Sequence, residues 1–203
     1  MQHIFKQGNK ENGPTLLLLH GTGGNERNLL PLAEMIAPGY SVLGVRGNVS
    51  EHGMPRFFRR LAEGVFDEED LVFRTKELKK FIDESAEKYG FDRNNVLAIG
   101  YSNGANIAAS MMYHYNDAVQ GAILFHAMVP LRSVDMADLS GTPVFLGAGE
   151  NDPLIPAQET KELADALRSS NADVTEYWTR GGHQLTREEI EQAADWFKEK
   201  YQN

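Results

Sequence analysis

The sequence contains no cysteine in its 203 residues. This absence excludes a disulfide framework, a thiol nucleophile and any metal site built from thiolate ligands. Positive charge is also scarce, because 20 lysines and arginines stand against 29 aspartates and glutamates and give a formal net charge of −9. Since non-specific nucleic-acid binding depends on basic side chains that neutralise phosphates, we expect no nucleic-acid partner.

Long hydrophobic runs are missing as well. Leu16–Leu19 is among the longest of them, far below the roughly 20 residues that span a bilayer. The first residues, Met1–Lys6, turn polar at once and contain no apolar stretch of signal-peptide length. We therefore expect a cytoplasmic protein without membrane insertion, whose residues 1–203 form one domain.

Short apolar runs alternate with segments of helical periodicity, which is typical of an α/β fold with a mostly parallel central sheet and helices on both faces. The predicted strands are Thr15–His20, Ser41–Arg46, Asn95–Tyr101, Gly121–His126, Thr142–Gly147 and Val174–Trp178, with Gln2–Gln7 as an antiparallel edge strand. The predicted helices are Glu26–Ile36, Glu68–Tyr89, Gly104–Tyr115, Ala157–Ser169 and Arg187–Gln202. The segment Gly47–Asp67 interrupts this alternation, and we interpret it as an excursion that shapes a pocket in place of a separate lid domain.

A G-x-S-x-G motif occupies Gly100–Gly104, directly after the apolar run Val96–Ile99 and before a predicted helix. A serine at a tight strand-to-helix turn projects its hydroxyl above the sheet, and the flanking glycines allow close approach of neighbouring chain. This context favours Ser102 as a nucleophile. The alternative is an ordinary glycine-rich turn.

A serine nucleophile needs a base, and the base needs an acidic group to fix its tautomer. His183 follows the last predicted strand, and Asp152 follows the strand before it, so both belong on loops at the carboxyl edge of the sheet. The chain order Ser102, Asp152, His183 is that of the α/β-hydrolases. Glu150 is a rival acid, Asp152 could serve only as a turn residue before a proline, and His183 could be a structural loop histidine.

The glycine-rich loop His20–Gly24 offers a way to stabilise an oxyanion. Its glycines let the chain curl so that the amide of Thr22 points toward Ser102, while the amide of Asn103 converges from the start of the following helix. A phosphate cradle is the competing interpretation, but the loop lacks the Gly-Lys-Ser/Thr ending of a P-loop.

The remaining candidate positions concern the pocket. His20 is interpreted as a structural residue that bonds to loop backbone. Substrate contacts are predicted for Met54, Phe57, Phe58, Phe66, His126, Met128, Leu154 and Leu185. The alternative is that these side chains simply cover the sheet. Arg56, Arg59 and Arg60 could attract an anionic substrate, but the acidic residues within Glu63–Asp70 favour a local ion-pair network.

With these residues in view, the chain resembles the α/β-hydrolase superfamily, and within it the small bacterial carboxylesterases of the phospholipase/carboxylesterase group, which also includes acyl-protein thioesterases. The resemblance covers nearly the whole chain and is carried by L-H-G-T-G-G at Leu19–Gly24, G-Y-S-N-G-A-N at Gly100–Asn106, G-E-N-D-P at Gly149–Pro153 and G-G-H at Gly181–His183. It implies Ser102 as nucleophile, His183 as base and Asp152 as its orienting acid. Thr22 and Asn103 are implied as oxyanion-hole residues.

The function expected is therefore a serine carboxylesterase that hydrolyses small esters through an acyl-enzyme, without a cofactor or metal. A thioesterase or lysophospholipase could use the same three residues. A non-catalytic small-molecule binding protein of this fold is the alternative from a different class. We expect a small-molecule ester as the partner, and the resemblance suggests a homodimer.

Overall fold

A computed structural model describes residues 1–10, 12–132 and 134–202 of the chain. The strands are β1 (His3–Lys6), β2 (Thr15–Leu19), β3 (Val42–Val45), β4 (Val49–Glu51), β5 (Met54–Arg56), β6 (Arg60–Ala62), β7 (Val65–Phe66), β8 (Val96–Tyr101), β9 (Gly121–Phe125), β10 (Pro143–Gly149) and β11 (Asp173–Thr179). The helices are α1 (Leu30–Ile36), α2 (Glu68–Tyr89), α3 (Asn103–His114), α4 (Ala157–Ser169) and α5 (Arg187–Tyr201).

The central sheet has seven strands in the order β1-β3-β2-β8-β9-β10-β11. All neighbours are parallel except β1, which pairs antiparallel with β3. This confirms the α/β-hydrolase-like architecture, including the antiparallel edge strand. Because β8, β10 and β11 run in the same direction, the loops that follow them meet at one edge of the sheet.

Both faces of the sheet are buried, which explains why its strands are continuously apolar. Along β2, Leu17 and Leu19 pack into the core beneath α2, α3 and α4, whereas Leu16 and Leu18 pack into the core beneath α1 and α5. All four leucines are at most 2% exposed. Burying each such side chain contributes about 1.5–3 kcal/mol relative to leaving it in water.

The excursion consists of two small hairpins, β4-β5 and β6-β7, which form separate two-stranded sheets. Phe57 and Phe58 lie between the hairpins and are buried in the main core. The backbone amide of Arg59 donates to the Asp70 carboxylate at 2.7 Å and ties the second hairpin to the start of α2. The excursion is therefore anchored to the body of the fold beside the carboxyl edge of the sheet.

The helix boundaries follow local signals with one exception. Asp67 caps α2 and accepts from the amide of Asp70, and a capping box between Thr186 and Glu189 begins α5. The predicted start of α1 at Glu26 is wrong, since α1 begins at Leu30. Side-chain to backbone hydrogen bonds between Asn25 and its neighbours form turns over residues 25–29 and compete with helix formation there.

None of the helices in the described ranges has the length and apolar character needed to span a membrane.

Candidate active site

Ser102 lies in the turn between β8 and α3. It has φ of 52° and ψ of −115°, a conformation that is rare for any residue other than glycine. The strain is held in place because the Ser102 amide donates to the carbonyl of Phe125 at 2.9 Å and its carbonyl accepts from the amide of Asn106 at 2.9 Å. The hydroxyl is thereby presented above the carboxyl edge of the sheet, as the motif predicted.

Neither flanking glycine can be replaced by a residue with a side chain, because backbone atoms occupy the space where its Cβ would lie. A Cβ on Gly104 would overlap the carbonyl oxygen of Leu19 on β2. A Cβ on Gly100 would lie 2.7 Å from the Cα of Ala105. The motif thus has glycines at both positions because the first turn of α3 packs directly against the backbone of the sheet.

His183 and Asp152 meet Ser102 at this edge. The Nε2 atom of His183 lies 2.9 Å from the Ser102 Oγ, and its Nδ1 lies 2.7 Å from Asp152 Oδ2. The phenol of Tyr101, at the end of β8, donates to the carbonyl of His183 at 2.7 Å and fixes the loop that bears it. A neutral His183 with its proton on Nδ1 therefore presents a lone pair to the serine hydroxyl.

Asp152 is held as an acceptor. Its Oδ1 accepts from the amides of Leu154 at 2.8 Å and Ile155 at 3.1 Å, and its Oδ2 faces His183 and His126. Burial acts to raise the pKa of Asp152, but these hydrogen bonds outweigh it and leave the pKa below its ordinary value. Glu150, the rival acid, has an exposed side chain. The carboxylate beside His183 is thus kept ionised.

Thr22 and Asn103 line the cleft that also contains Ser102. Within residues 1–10, 12–132 and 134–202, no acceptor takes either amide N–H. The side chains hold the two loops in place, since the Thr22 hydroxyl accepts from Arg56 Nη1 at 2.6 Å and the Asn103 side-chain oxygen accepts from the Phe57 amide at 2.7 Å. Backbone N–H groups without a protein acceptor, on residues that line the cleft at a serine hydroxyl, can stabilise negative charge on a substrate oxygen.

The cleft above Ser102 has a volume of about 360 Å³. Of the predicted substrate contacts, Phe66, Met128 and Leu154 line it, as do Thr22 and Asn103. It is also lined by residues for which no substrate contact was predicted, namely Arg56, Arg60, Glu63, Gly64, Tyr101, Asn106 and Ile155. Charged and polar side chains therefore form part of the wall, beside the apolar residues that were predicted.

The other predicted contacts do not line this cleft. Phe57 and Phe58 are buried in the core because the chain between the hairpins turns inward there, and Met54 lies against Gly23 outside the cleft. Leu185 lines a separate depression beside the His20 loop. His126 is fully buried beneath Asp152 and does not line the cleft.

His20 has the structural position expected of it. Its Nδ1 donates to the carbonyl of Gly21 at 2.6 Å, and its Nε2 accepts from the amide of Gly47 at 3.1 Å. Burial lowers the pKa of His20, which favours this neutral form. The residue thus joins the glycine-rich loop His20–Gly24 to the start of the excursion.

The arginines of the excursion form ion pairs, but only Arg59 pairs with the acidic run that the local-network interpretation named. Arg59 lies 3.2 Å from Asp67, and Arg60 lies 3.0 Å from Glu51. Arg56 is nearly fully buried and lies 3.7 Å from Glu51. The partner Glu51 lies outside the acidic run Glu63–Asp70, so no local pattern in the sequence indicated these two pairs.

The chain is similar to known hydrolases in both sequence and structure. Residues 51–200 match the family described as Phospholipase/Carboxylesterase. The chain is 58% identical over 199 residues to a Bacillus subtilis (strain 168) protein provisionally named hydrolase MhqD, with 98% of each chain covered. The structure of a Bacillus cereus carboxylesterase is similar at 58% identity with a TM-score of 0.97, covering 98% of this chain and 94% of that one. A structure of YahD with malic acid is similar at 36% identity with a TM-score of 0.93, covering 98% of both chains.

Proposed function

Because the chain belongs to the phospholipase/carboxylesterase family, we propose that it is a serine carboxylesterase that hydrolyses small carboxylic esters through an acyl-enzyme. The observation that carries the proposal is the unbroken line of hydrogen bonds from Ser102 Oγ to His183 Nε2, at 2.9 Å, and from His183 Nδ1 to Asp152, at 2.7 Å. This arrangement has the parts that a serine hydroxyl needs to become a nucleophile near neutral pH.

In the first half-reaction, Ser102 Oγ attacks the ester carbonyl carbon while His183 Nε2 takes the hydroxyl proton. The carbonyl oxygen becomes an oxyanion that accepts hydrogen bonds from the amides of Thr22 and Asn103. Asp152 stabilises the resulting imidazolium without taking its proton. When the intermediate collapses, the bond to the alcohol oxygen breaks and His183 gives its proton to the leaving alcohol.

In the second half-reaction, water takes the place of the alcohol. His183 removes a proton from the water as its oxygen attacks the acyl carbon, and the same two amides hold the second oxyanion. Collapse of this intermediate returns the proton to Ser102 Oγ and releases the carboxylic acid. The mechanism uses only protein side chains and backbone amides.

The cleft supports a small substrate. Its volume of about 360 Å³ is near the lower end of the roughly 300–1,000 Å³ typical of ligand pockets. Arg56, Arg60 and Glu63 on its wall make it a poor surface for a long alkyl chain. With 4-nitrophenyl esters of increasing acyl length, we expect kcat/KM to be highest for acetate to butyrate and to fall beyond about six carbons.

The direct test is Ser102→Ala, with Ser50→Ala as the matched control because Ser50 is an exposed serine on β4. We expect Ser102→Ala to lower kcat for 4-nitrophenyl acetate by at least about 10³-fold. Ser50→Ala should leave it within about twofold. Retention of most of the activity by Ser102→Ala would reject Ser102 as the nucleophile.

The family description also includes phospholipases, and a thioester could enter the same mechanism. Matched oxygen and sulfur esters of one short acyl group, compared by kcat/KM, separate a carboxylesterase from a thioesterase. A lysophospholipase would instead favour long acyl chains in the length series. The cytoplasmic location and the homodimer stay predictions of the sequence.

A further inference from the structure

His126 is a fully buried histidine that the proposed mechanism does not use. It follows β9 and has φ of 54°, so its backbone is held in the left-handed region. Its Nδ1 lies 2.9 Å from Asp152 Oδ2, and its Nε2 lies 3.1 Å from Glu189 Oε1. Both carboxylates are at most 1% exposed. The imidazole thus joins two buried acidic side chains.

His126 and His183 share Asp152 as a hydrogen-bond partner, and this sharing determines which ring nitrogens carry protons. Asp152 Oδ2 faces the Nδ1 atoms of both His126 and His183, so each of these nitrogens carries a proton in order to donate. The Nε2 atom of His126 is then the nitrogen that faces Glu189. The two atoms are 3.1 Å apart but are not aligned as a hydrogen bond. At this distance a bare nitrogen lone pair would repel the carboxylate oxygen, whereas a protonated ring carries the positive charge that attracts it.

Glu189 is a fixed carboxylate. Its Oε2 accepts from the amide of Thr186 at 2.8 Å and from the Thr186 hydroxyl at 2.9 Å, as part of the capping box of α5. Its Oε1 points toward His126 and the backbone of Gly147, where a Cβ would come within 3.3 Å of it. A buried carboxylate needs a compensating charge, and His126 is the group that faces it.

We infer that His126 is a positioning residue held as a buried imidazolium between Glu189 and Asp152, and that its charge limits how strongly Asp152 stabilises a proton on His183. The inference rests on the proposed esterase mechanism. A base that gains its proton too readily is already protonated at moderately acidic pH and cannot accept one from Ser102. The buried charge therefore extends activity toward lower pH.

The groups that face His126 come from several elements. Asp152 belongs to the loop after β10, Glu189 to α5, His183 to the loop after β11 and Tyr101 to the end of β8. Burial acts to lower the pKa of His126, but the hydrogen bonds and negative charges of Glu189 and Asp152 raise it overall. Burial raises the pKa of Tyr101, so its phenol stays neutral.

The distance between the rings of His126 and His183 determines how strongly the charge of His126 acts on His183. The rings of His126 and His183 have centroids 5.2 Å apart. At that separation, a unit charge on one ring moves the pH at which the other gains its proton by about 0.6 to 2.3 units, for effective dielectric constants of about 80 to 20. The negative charge of Glu189 cancels part of this effect of His126. We expect removal of the charge to move the acid limb of the kcat/KM profile upward by about one pH unit.

The variant that tests the charge is His126→Asn. Asparagine tolerates positive φ, and its amide can donate to Asp152, but it cannot carry the charge. We expect the acid limb to move upward while kcat/KM on the alkaline plateau stays within about tenfold of the unmodified enzyme. An unchanged acid limb in folded His126→Asn would overturn the inference.

Thr186→Ala is the matched control because it removes the side-chain cap of α5 and one bond to Glu189 but leaves both charges in place. We expect a lower melting temperature and an acid limb in its original place. An acid limb that moves as far in Thr186→Ala as in His126→Asn would show a structural effect and contradict the inference.

The protonation itself is measured on the unmodified protein by ¹⁵N NMR of the histidine rings, with His126 assigned through Glu189→Gln. We expect both ring nitrogens of His126 to be protonated at pH 7, and one of them to lose its proton in Glu189→Gln. A neutral tautomer in the unmodified protein would overturn the inference. This experiment needs no activity, so its failure is distinct from a failure of Ser102→Ala.

Discussion

Replacement of Asp152 by asparagine changes the proton on the proposed base without changing the size of the side chain. Asparagine has one amide oxygen to accept hydrogen bonds and one NH₂ group. The amides of Leu154 and Ile155 are fixed donors at 2.8 and 3.1 Å from the present Oδ1, so the amide oxygen turns toward them. The NH₂ group is then directed at His183 Nδ1, which becomes the acceptor and transfers the ring proton to Nε2, facing Ser102.

The expected loss of activity is large because this tautomer cannot accept the serine proton. In serine hydrolases, the equivalent change lowers kcat by about 10⁴-fold, which corresponds to about 5 kcal/mol in the activation free energy. The assay is hydrolysis of 4-nitrophenyl acetate at pH 7.5, with a melting curve to verify folding. Glu150→Gln is the matched control because it removes the neighbouring exposed carboxylate, and its kcat should stay within about twofold. A loss below about tenfold in folded Asp152→Asn would show that Asp152 does not fix the tautomer of a catalytic His183.

Three further changes test the supports of the site. Gly104→Ala places a methyl group on the carbonyl of Leu19, so we expect the free energy of unfolding in urea to fall by at least about 2 kcal/mol; an unchanged midpoint would contradict the packing argument. Arg56→Met removes the 2.6 Å hydrogen bond to the Thr22 hydroxyl, and we expect kcat to fall by about tenfold with a smaller change in KM. A kcat equal to that of the unmodified protein would show that this hydrogen bond does not contribute to catalysis. Burial lowers the pKa of His20 below its ordinary value of 6.5. Below pH 6.5 the unfolded chain therefore binds a proton at His20 before the folded chain does. The stability that the buried neutral His20 contributes is complete above pH 6.5 and declines as the pH falls toward the lowered pKa. Urea titrations of His20→Asn at pH 7.5 and 5.5 should show a smaller loss on acidification than the unmodified protein shows, and an equal loss would contradict the assignment.

The sequence predicted those parts of the molecule that local patterns determine. Helix α2 has the predicted bounds, Glu68–Tyr89, because Asp67 caps its start and Gly90 ends it with φ of 74°. The meeting of Ser102, Asp152 and His183 was predictable because parallel strands bring their following loops to one edge. Each of these inferences needed only a local motif and one rule of topology.

The parts that were missed depend on which distant side chains meet. Phe57 and Phe58 have the same apolar character as a pocket wall, and only the inward turn of the chain between the two hairpins places them in the core. The T-x-x-E spacing of Thr186 and Glu189 is a local signal for a helix start, but the contact of Glu189 with His126 joins residues 63 positions apart through the packing of α5 on the sheet. No local pattern reports such a pair.

Ser102 is proposed as the nucleophile that His183 activates. The decisive measurement is to treat the protein with a serine-directed phosphonate and to map the modified peptide by mass spectrometry. We predict one phosphonyl group per chain on Ser102, loss of esterase activity in proportion to labelling, and no label in Ser102→Ala. Full labelling with activity retained, or inactivation with the label on another residue, would contradict the account.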